Sequence, residues 1–218
     1  MPLSLRLVFP GPGACMHDEL ERQIRTYLPF IGAALQAYVD PLHDLLDGLP
    51  DHVSVGRENR YPFVLVATSA LLPTLDEVDR ISVRGKDGWT DMHDELPTYR
   101  DTFDVPGPVY LLADVGTGPE TLNVRPDDAL AMVRAAGRTP LTLDEGVAVV
   151  RHFPSVFRDH NAFQALATRS PVAPYTKRVP SFWVSKGAPR LGWCWAGNPH
   201  TWLGAASAPP RLAPDHVG

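Results

Sequence analysis

The sequence predicts an α+β fold, in which a mixed sheet includes a C-terminal three-stranded antiparallel tryptophan-rich meander and several short helices pack around it. Three observations predict this class. Residues 62–69 and 108–115 are nearly continuous apolar runs, typical of strands buried on both faces. Short segments with helical periodicity lie around these runs. Residues 178–207 hold four of the five tryptophans and contain the strongest strand pattern in the chain.

The N-terminal part of the chain reads as helical. Residues 1–16 form a flexible lead that contains Pro-Gly-Pro-Gly. Pro29 interrupts the helical pattern that follows, because proline removes a backbone donor. Apolar residues at helical spacing predict helices over 18–28, 30–38 and 41–49. A polar connector over 51–61 then leads to the first buried strand.

The region between the two buried strands is less regular. Thr74 and Glu77 have the spacing of a capping box, which predicts the start of a short helix. Residues 85–91 have the composition of a turn. Residues 92–105 are polar, acidic and without a period. Lids and binding loops often look like this, and so do plain surface loops, so both interpretations stay open.

Local signals predict more helices after the second buried strand. Pro126 suits the first turn of a helix, and Gly137 suits the residue after its end. Thr142 and Glu145 have capping-box spacing and open a helix over 143–152. Two further segments are predicted here, a helix over 155–167 and a proline-rich linker over 170–177. These elements make one α+β domain over 17–207, with a tail over 208–218.

The tryptophan-rich stretch predicts the meander. Its strands cover residues 181–185, 190–196 and 201–207, and turns at 186–189 and 197–200 connect them. In the middle strand, Trp193 and Trp195 share one face with Leu191. Small residues occupy the opposite face, which is therefore expected to meet a helix or a second sheet. The tryptophan face covers either a second core or a ligand pocket.

Composition restricts the class of partner. The formal net charge is −5 and no block of Lys or Arg occurs, which argues against a nucleic-acid surface and against an anionic membrane surface. The longest apolar run, at 63–72, is too short to span a bilayer. No signal-peptide pattern is present at the N-terminus, and Cys15 and Cys194 are isolated. A cytoplasmic protein is the expectation.

Four stretches carry a resemblance to a known family. They are YLLADVGTGPETLNVRPDDAL (110–130), TPLTLDEGVAVVRHFP (139–154), PFVLVATSALLP, and the tryptophan-rich stretch with its WCWAGNPHTWLG string. The chain resembles, over roughly residues 60–207, a bacterial family of unknown function found mainly in actinobacteria. The resemblance implies no activity and supplies no functional residues. A divergent member of such a family could serve specialised metabolism.

The candidate ligand site lies on the meander. A pocket floored by Trp193 and Trp195 would have the apolar walls and few polar groups of a small-molecule site. Its predicted polar rim is Asn198, His200 and Arg190. Arg178 and Arg190 flank the meander and could hold an anionic ligand through two hydrogen bonds each. Plain core packing of the tryptophans is the alternative interpretation.

The candidate chemistry is proton transfer. His93 lies among carboxylates in the irregular loop, and His200 lies beside the tryptophans; either histidine can move protons near neutral pH. A solvated acidic loop is the alternative for His93. No metal-ligand spacing and no complete dinucleotide-binding turn occurs, so no metal and no cofactor are expected.

Two functions follow from these candidates. The first is binding of a small organic molecule, or cofactor-independent turnover of that molecule by His200 or His93. The second is a non-catalytic protein-interaction module that uses the tryptophan face, since Trp and Arg are enriched at binding hot spots. In the second case a symmetric homodimer is one expected partner arrangement.

Overall fold

A computed structural model describes residues 16–49, 59–160 and 162–214. Several helices and mixed sheets confirm the α+β class. The predicted lead, apart from Met16, and most of the predicted polar connector lie outside the described residues.

Five helices and thirteen strands make up the described part of the chain. The helices are α1 (Met16–Gln36), α2 (Val39–Asp47), α3 (Thr74–Val78), α4 (Pro126–Ala135) and α5 (Leu143–His152). The strands are β1 (Arg60–Ala67), β2 (Ser82–Val83), β3 (Lys86–Asp87), β4 (Trp89–Thr90), β5 (Arg100–Asp101), β6 (Val109–Gly116), β7 (Thr139–Pro140), β8 (Ala162–Gln164), β9 (Thr168–Arg169), β10 (Arg178–Ser185), β11 (Ala188–Trp195), β12 (Leu203–Ala205) and β13 (Ser207–Ala208).

The strands form two main sheets. The first sheet is antiparallel, in the order β1-β6-β13-β7. The second sheet is mixed, in the order β12-β8-β10-β11-β4. The two buried apolar strands β1 and β6 are therefore neighbours, as their composition suggests. They do not share a sheet with the tryptophan-rich strands, which corrects the expectation of one mixed sheet.

Helix α5 lies between the two sheets and forms because its first turn is capped twice. Thr142 Oγ1 accepts a hydrogen bond from the backbone N–H of Glu145. In turn, a carboxylate oxygen of Glu145 accepts a hydrogen bond from the backbone N–H of Thr142. This confirms the predicted capping box. Gly146 faces the second sheet, where a Cβ would lie only 2.4 Å from the Phe182 ring. The absence of a side chain at Gly146 lets α5 and β10 approach closely.

Helices α1 and α2 cover the outer face of the first sheet, against Phe63, Leu65 and Leu111. Pro29 stays inside α1, which has a kink at Ile31 (φ −130°), so proline bends this helix and does not end it. Helices cover both faces of β1 and β6, so side chains on both faces are buried. This explains why the sequences of both strands are nearly continuous apolar runs.

A chain of hydrogen-bonding side chains joins α1 to α2. The Nδ1 atoms of His17 and His43 lie 2.7 Å apart. The Nε2 atom of His17 lies 2.8 Å from a carboxylate oxygen of Asp47, and that of His43 lies 2.9 Å from one of Glu21. The two helices are thus fixed by polar contacts as well as by their apolar faces.

Three predicted elements are wrong. The helix predicted over 155–167 is a 3-10 helix (Pro154–His160) followed by β8. The meander has two strands, β10 and β11, because the third predicted strand divides into β12, which pairs parallel with β8, and β13, which joins the first sheet. The described part of the predicted tail, residues 208–214, is packed at two residues: Leu212 bridges Leu111, and the Arg211 side chain is only 7% exposed. In each case a long-range pairing replaced the local pattern.

The contact that holds the C-terminal segment is a buried ion pair. Glu145 is fully buried, and its carboxylate accepts from Arg211 Nε at 2.7 Å and from Arg211 Nη2 at 2.6 Å. The Tyr110 hydroxyl donates to the same carboxylate at 2.8 Å. Helix α5, strand β6 and the C-terminal segment therefore meet at one side chain.

We expect Glu145→Gln to destabilise the fold by about 3–5 kcal/mol, because it leaves the Arg211 guanidinium buried without its charge partner. Urea unfolding measures the change. Arg25→Gln is the control: it removes a surface pair to Glu21 at 3.9 Å and should cost less than about 1 kcal/mol. Equal stability of Glu145→Gln and wild type would contradict the assigned role.

His152 ends α5 as a buried neutral imidazole. Its Nε2 lies 2.9 Å from the Leu65 carbonyl oxygen, and its Nδ1 lies 3.2 Å from Thr26 Oγ1. Burial, with a smaller contribution from the charge of Arg22, lowers the pKa of His152 well below its usual value. The unfolded chain therefore binds a proton at a pH where the folded protein does not.

Stability should consequently fall as the pH drops below about 6.5, with a contribution from His152 of up to about 1.4 kcal/mol per pH unit. His152→Gln keeps a donor for Leu65 and should lack this slope. Burial raises the pKa of Glu77 to about 7, which gives a slope of opposite sign in both proteins. The difference between wild type and variant, from urea unfolding at pH 5 to 7, isolates His152; parallel curves would refute the assignment.

Candidate functional site

Arg178 is the centre of the candidate site. Its guanidinium lies 4.0 Å from the centre of the Trp193 ring and 4.9 Å from that of Tyr175. Arg178 Nη1 donates to Glu95 at 2.7 Å. Residues 178, 193 and 195 share one face of the β10–β11 hairpin, as the register places Arg178 opposite Trp195. We call Tyr175, Arg178, Trp193, Trp195 and Glu95 the Arg178 cluster.

Burial differs along the tryptophan face. Leu191 lies in the core beneath α5, and Trp193 is half-buried against the same core. Trp195 packs edge-on to Trp193, with ring centres 5.0 Å apart, and is 43% exposed. The tryptophan face therefore runs from the core to the surface. Leu191 and Trp193 thus take part in core packing, and Trp195, at the end of the strand, is exposed at the surface.

The opposite face of the hairpin has a second arginine. Arg190 lies between the rings of Trp89 and Trp183, 4.4 and 4.8 Å from their centres, and donates to Asp91 at 2.6 Å. Because Arg190 pairs with Trp183 across the strands, it points away from Trp193. Arg178 and Arg190 thus do not converge on one ligand, and each already binds a carboxylate.

The small-residue face meets a helix, as expected. Ala196 and Val179 pack on Ala129 and Val133 of α4. Farther along this face the Trp183 ring covers Gly192, where a Cβ would lie 2.2 Å from the ring. Cys194 is buried beside Trp183, and this burial raises the pKa of its thiol.

The irregular segment 92–105 contributes to the candidate site. Glu95 is buried and binds Arg178, and Tyr99 is buried close to it along the chain. Burial raises the pKa of Glu95, against the attraction of Arg178. Asp91, just before the segment, holds the other arginine. The segment is therefore attached to both faces of the hairpin.

Three buried donor atoms near the Arg178 cluster have no hydrogen-bond partner among the described residues. They are the Tyr99 hydroxyl, Arg169 Nη1 and Arg178 Nε. Burial raises the pKa of Tyr99 far above its usual value; Glu95 adds to this rise, whereas Arg178 and Arg169 oppose it. Tyr99 therefore lies within electrostatic range of both guanidinium groups.

The predicted acid–base residues lie outside the Arg178 cluster in the contacts of the described residues. His200 packs edge-on to Trp202, and its backbone carbonyl accepts from Asn123. Its Nε2 has no partner in the described part of the chain, and burial lowers the pKa of this histidine. His93 is exposed on the segment after β4. Asn198 is exposed in the turn after β11, and its backbone N–H donates to the carbonyl of Trp195.

One crevice lies between α3, α5 and the hairpin, lined by apolar residues that include Val78, Val150 and Leu191. Its volume of about 10 Å³ matches about one water molecule, which is too small for an organic ligand. Within the described ranges, no three His, Cys, Asp or Glu side chains are grouped so that they could hold a metal ion. No described helix is long and apolar enough to cross a membrane.

Sequence reasoning missed Tyr99, Arg169, Tyr175 and the role of Glu95. Glu95 had a weak signal, because it follows an acidic stretch without a period. Arg169 had no signal in the sequence. It reaches the site because β9 pairs with β5, which places Arg169 opposite Arg100, a residue distant in the sequence.

Comparison with known proteins places the chain in a family. It matches no curated protein and no solved structure. A family described as a family of unknown function, DUF5701, matches residues 30–214. This match includes the four resembling stretches and extends beyond them at both ends. The chain therefore belongs to the family of unknown function DUF5701.

Proposed function

We propose that this protein binds a small organic molecule at the Arg178 cluster, with Trp195 as the surface ring on which the ligand packs. The observation that carries the proposal is the fixed position of Arg178, held between two aromatic rings and one buried carboxylate. A binding group held in this way loses little side-chain freedom when a ligand arrives.

The exposed ring of Trp195 is the part of the tryptophan face that a ligand can reach. One face of Trp193 is occupied by the Arg178 guanidinium, and the ring also packs against the core and against Trp195. Trp195, in contrast, is 43% exposed and rests against Trp193. A planar, apolar part of a ligand would therefore pack on Trp195, beside the cation of Arg178.

The proposal concerns binding and not turnover, since His200 contacts Trp202, outside the cluster, and His93 is exposed. A protein-interaction function has one specific observation in its favour. On the opposite face of the hairpin Trp202 is 39% exposed and packs edge-on to Trp183, with ring centres 6.0 Å apart. Tryptophan is enriched at the hot spots of protein-binding surfaces. Substitution of Trp195 therefore tests ligand binding, whereas substitution of Trp202 tests the protein-interaction function.

Trp195→Ala should weaken ligand binding at least tenfold and leave the fold intact, because the ring is exposed. The experiment screens small aromatic compounds by thermal shift and then measures affinities by isothermal titration calorimetry. A tenfold loss corresponds to about 1.4 kcal/mol, which is within the range expected for one aromatic contact plus its buried area.

Trp202→Ala is the matched control, since it removes a similarly exposed ring from the other face. It should leave these affinities unchanged. If no compound binds the wild type, or if Trp195→Ala binds as the wild type does, the proposal is wrong. Concentration-dependent self-association that is lost in Trp202→Ala, measured by sedimentation velocity, would support the interaction function instead.

A further inference from the structure

The three unpartnered donors near the Arg178 cluster share one chemical requirement. An arginine nitrogen carries only donors, and the Tyr99 hydroxyl has its proton to donate. Among the described residues, none of the three finds an acceptor. A buried donor without an acceptor costs free energy, so a group that supplies oxygen lone pairs at this position would be bound favourably.

Strand pairing brings together the chain segments that carry these donors. Tyr99 immediately precedes β5, and β5 pairs with β9, so that Arg100 lies opposite Arg169. Strand β9 in turn contacts β10, which begins at Arg178. The segment that contains Tyr99 is fixed to Arg178 through Glu95. Three regions far apart in the sequence, which carry Tyr99, Arg169 and Arg178, are thus neighbours in the fold.

The charges at this position favour an anion. Glu95 binds Nη1 of Arg178 and leaves Nε, on a different edge of the guanidinium, without an acceptor. The carboxylate nearest to Arg169 in the described part of the chain is that of Asp127, at 3.9 Å and 69% exposed. Solvent weakens so distant and exposed a pair, so Arg169 is a half-buried cation with little compensation at its buried Nη1 atom.

We infer that the ligand of the Arg178 cluster carries an anionic oxygen group, a carboxylate or a phosphate, which accepts hydrogen bonds from Tyr99, Arg169 and Arg178. This inference rests on the proposed function and adds the ligand's chemical class to it. Arginine is well suited to both groups, because its planar donors match their oxygen geometry. The organic part of the ligand extends from this position towards Trp195.

Isothermal titration calorimetry at fixed ionic strength tests the inference with matched probes. Benzoate and benzamide have the same ring and nearly the same shape, and only benzoate is charged. Benzoate should bind at least tenfold more tightly than benzamide. Phenyl phosphate in place of benzoate distinguishes a phosphate site from a carboxylate site, and acetate and inorganic phosphate measure the anion without the ring.

Tyr99→Phe is the informative variant, because it removes a hydroxyl that has no partner in the described part of the protein. Since an unpaired buried donor costs free energy, the melting temperature of this variant should not fall. It should weaken benzoate or phenyl phosphate binding at least fivefold and leave benzamide unaffected. Tyr38→Phe makes the same change in the α1–α2 region, remote from the hairpin, and should alter neither affinity.

Three results would overturn the inference: equal affinity for benzoate and benzamide, no binding of any of the four anions, or full benzoate affinity in Tyr99→Phe. A failure of the proposed function can be told apart from a failure of this inference. If benzamide and benzoate bind equally and both are lost in Trp195→Ala, the ligand site stands and only its preference for anions is wrong. If anion binding depends on Tyr99 and not on Trp195, the anion site stands without the aromatic one.

Discussion

The buried carboxylate of Glu145 is the constraint on which the architecture depends. A charge removed from solvent must be paired and fully hydrogen-bonded, or the fold loses several kcal/mol. Glu145 meets this condition only when the start of α5, Tyr110 of β6 and Arg211 occupy their places together. Since α5 separates the two sheets, this one side chain fixes the first sheet relative to the helix, and the close contact at Gly146 then positions the second.

The candidate site inherits its rigidity from this arrangement. The β10–β11 hairpin rests on α5 through Phe182 and Leu191, so its inner face is fixed by the core. Its two arginines then attach the segment 91–99, one on each face. An otherwise irregular stretch becomes ordered because its carboxylates are counterions. The acidic composition of this stretch therefore has a structural cause as well as a place in the proposed site.

Some local signals in the sequence predicted the local structure, whereas others, such as those for a helix over 155–167, did not. The α5 capping box and the β10–β11 hairpin depend on residues a few positions apart; the turn at Lys186 and Gly187 has positive φ at both, as hairpin turns require. The partners of β12 and β13 could not be predicted, because those strands pair with segments distant in the chain. The site divides in the same way: Trp193, Trp195 and Arg178 lie in one recognisable hairpin, whereas Tyr99 and Arg169 arrive through tertiary pairing.

The position of β13 and Arg211 has a consequence for biosynthesis. The first sheet needs its last strand from residues 207–208, and Glu145 needs a cation from residue 211. During translation, β6 therefore leaves the ribosome with an open edge and α5 with an uncompensated carboxylate. Because these contacts join segments far apart in the sequence, cooperative folding waits until residue 211 has left the ribosome. A nascent chain that stalls before residue 207 thus lacks both contacts and leaves one edge of β6 unpaired.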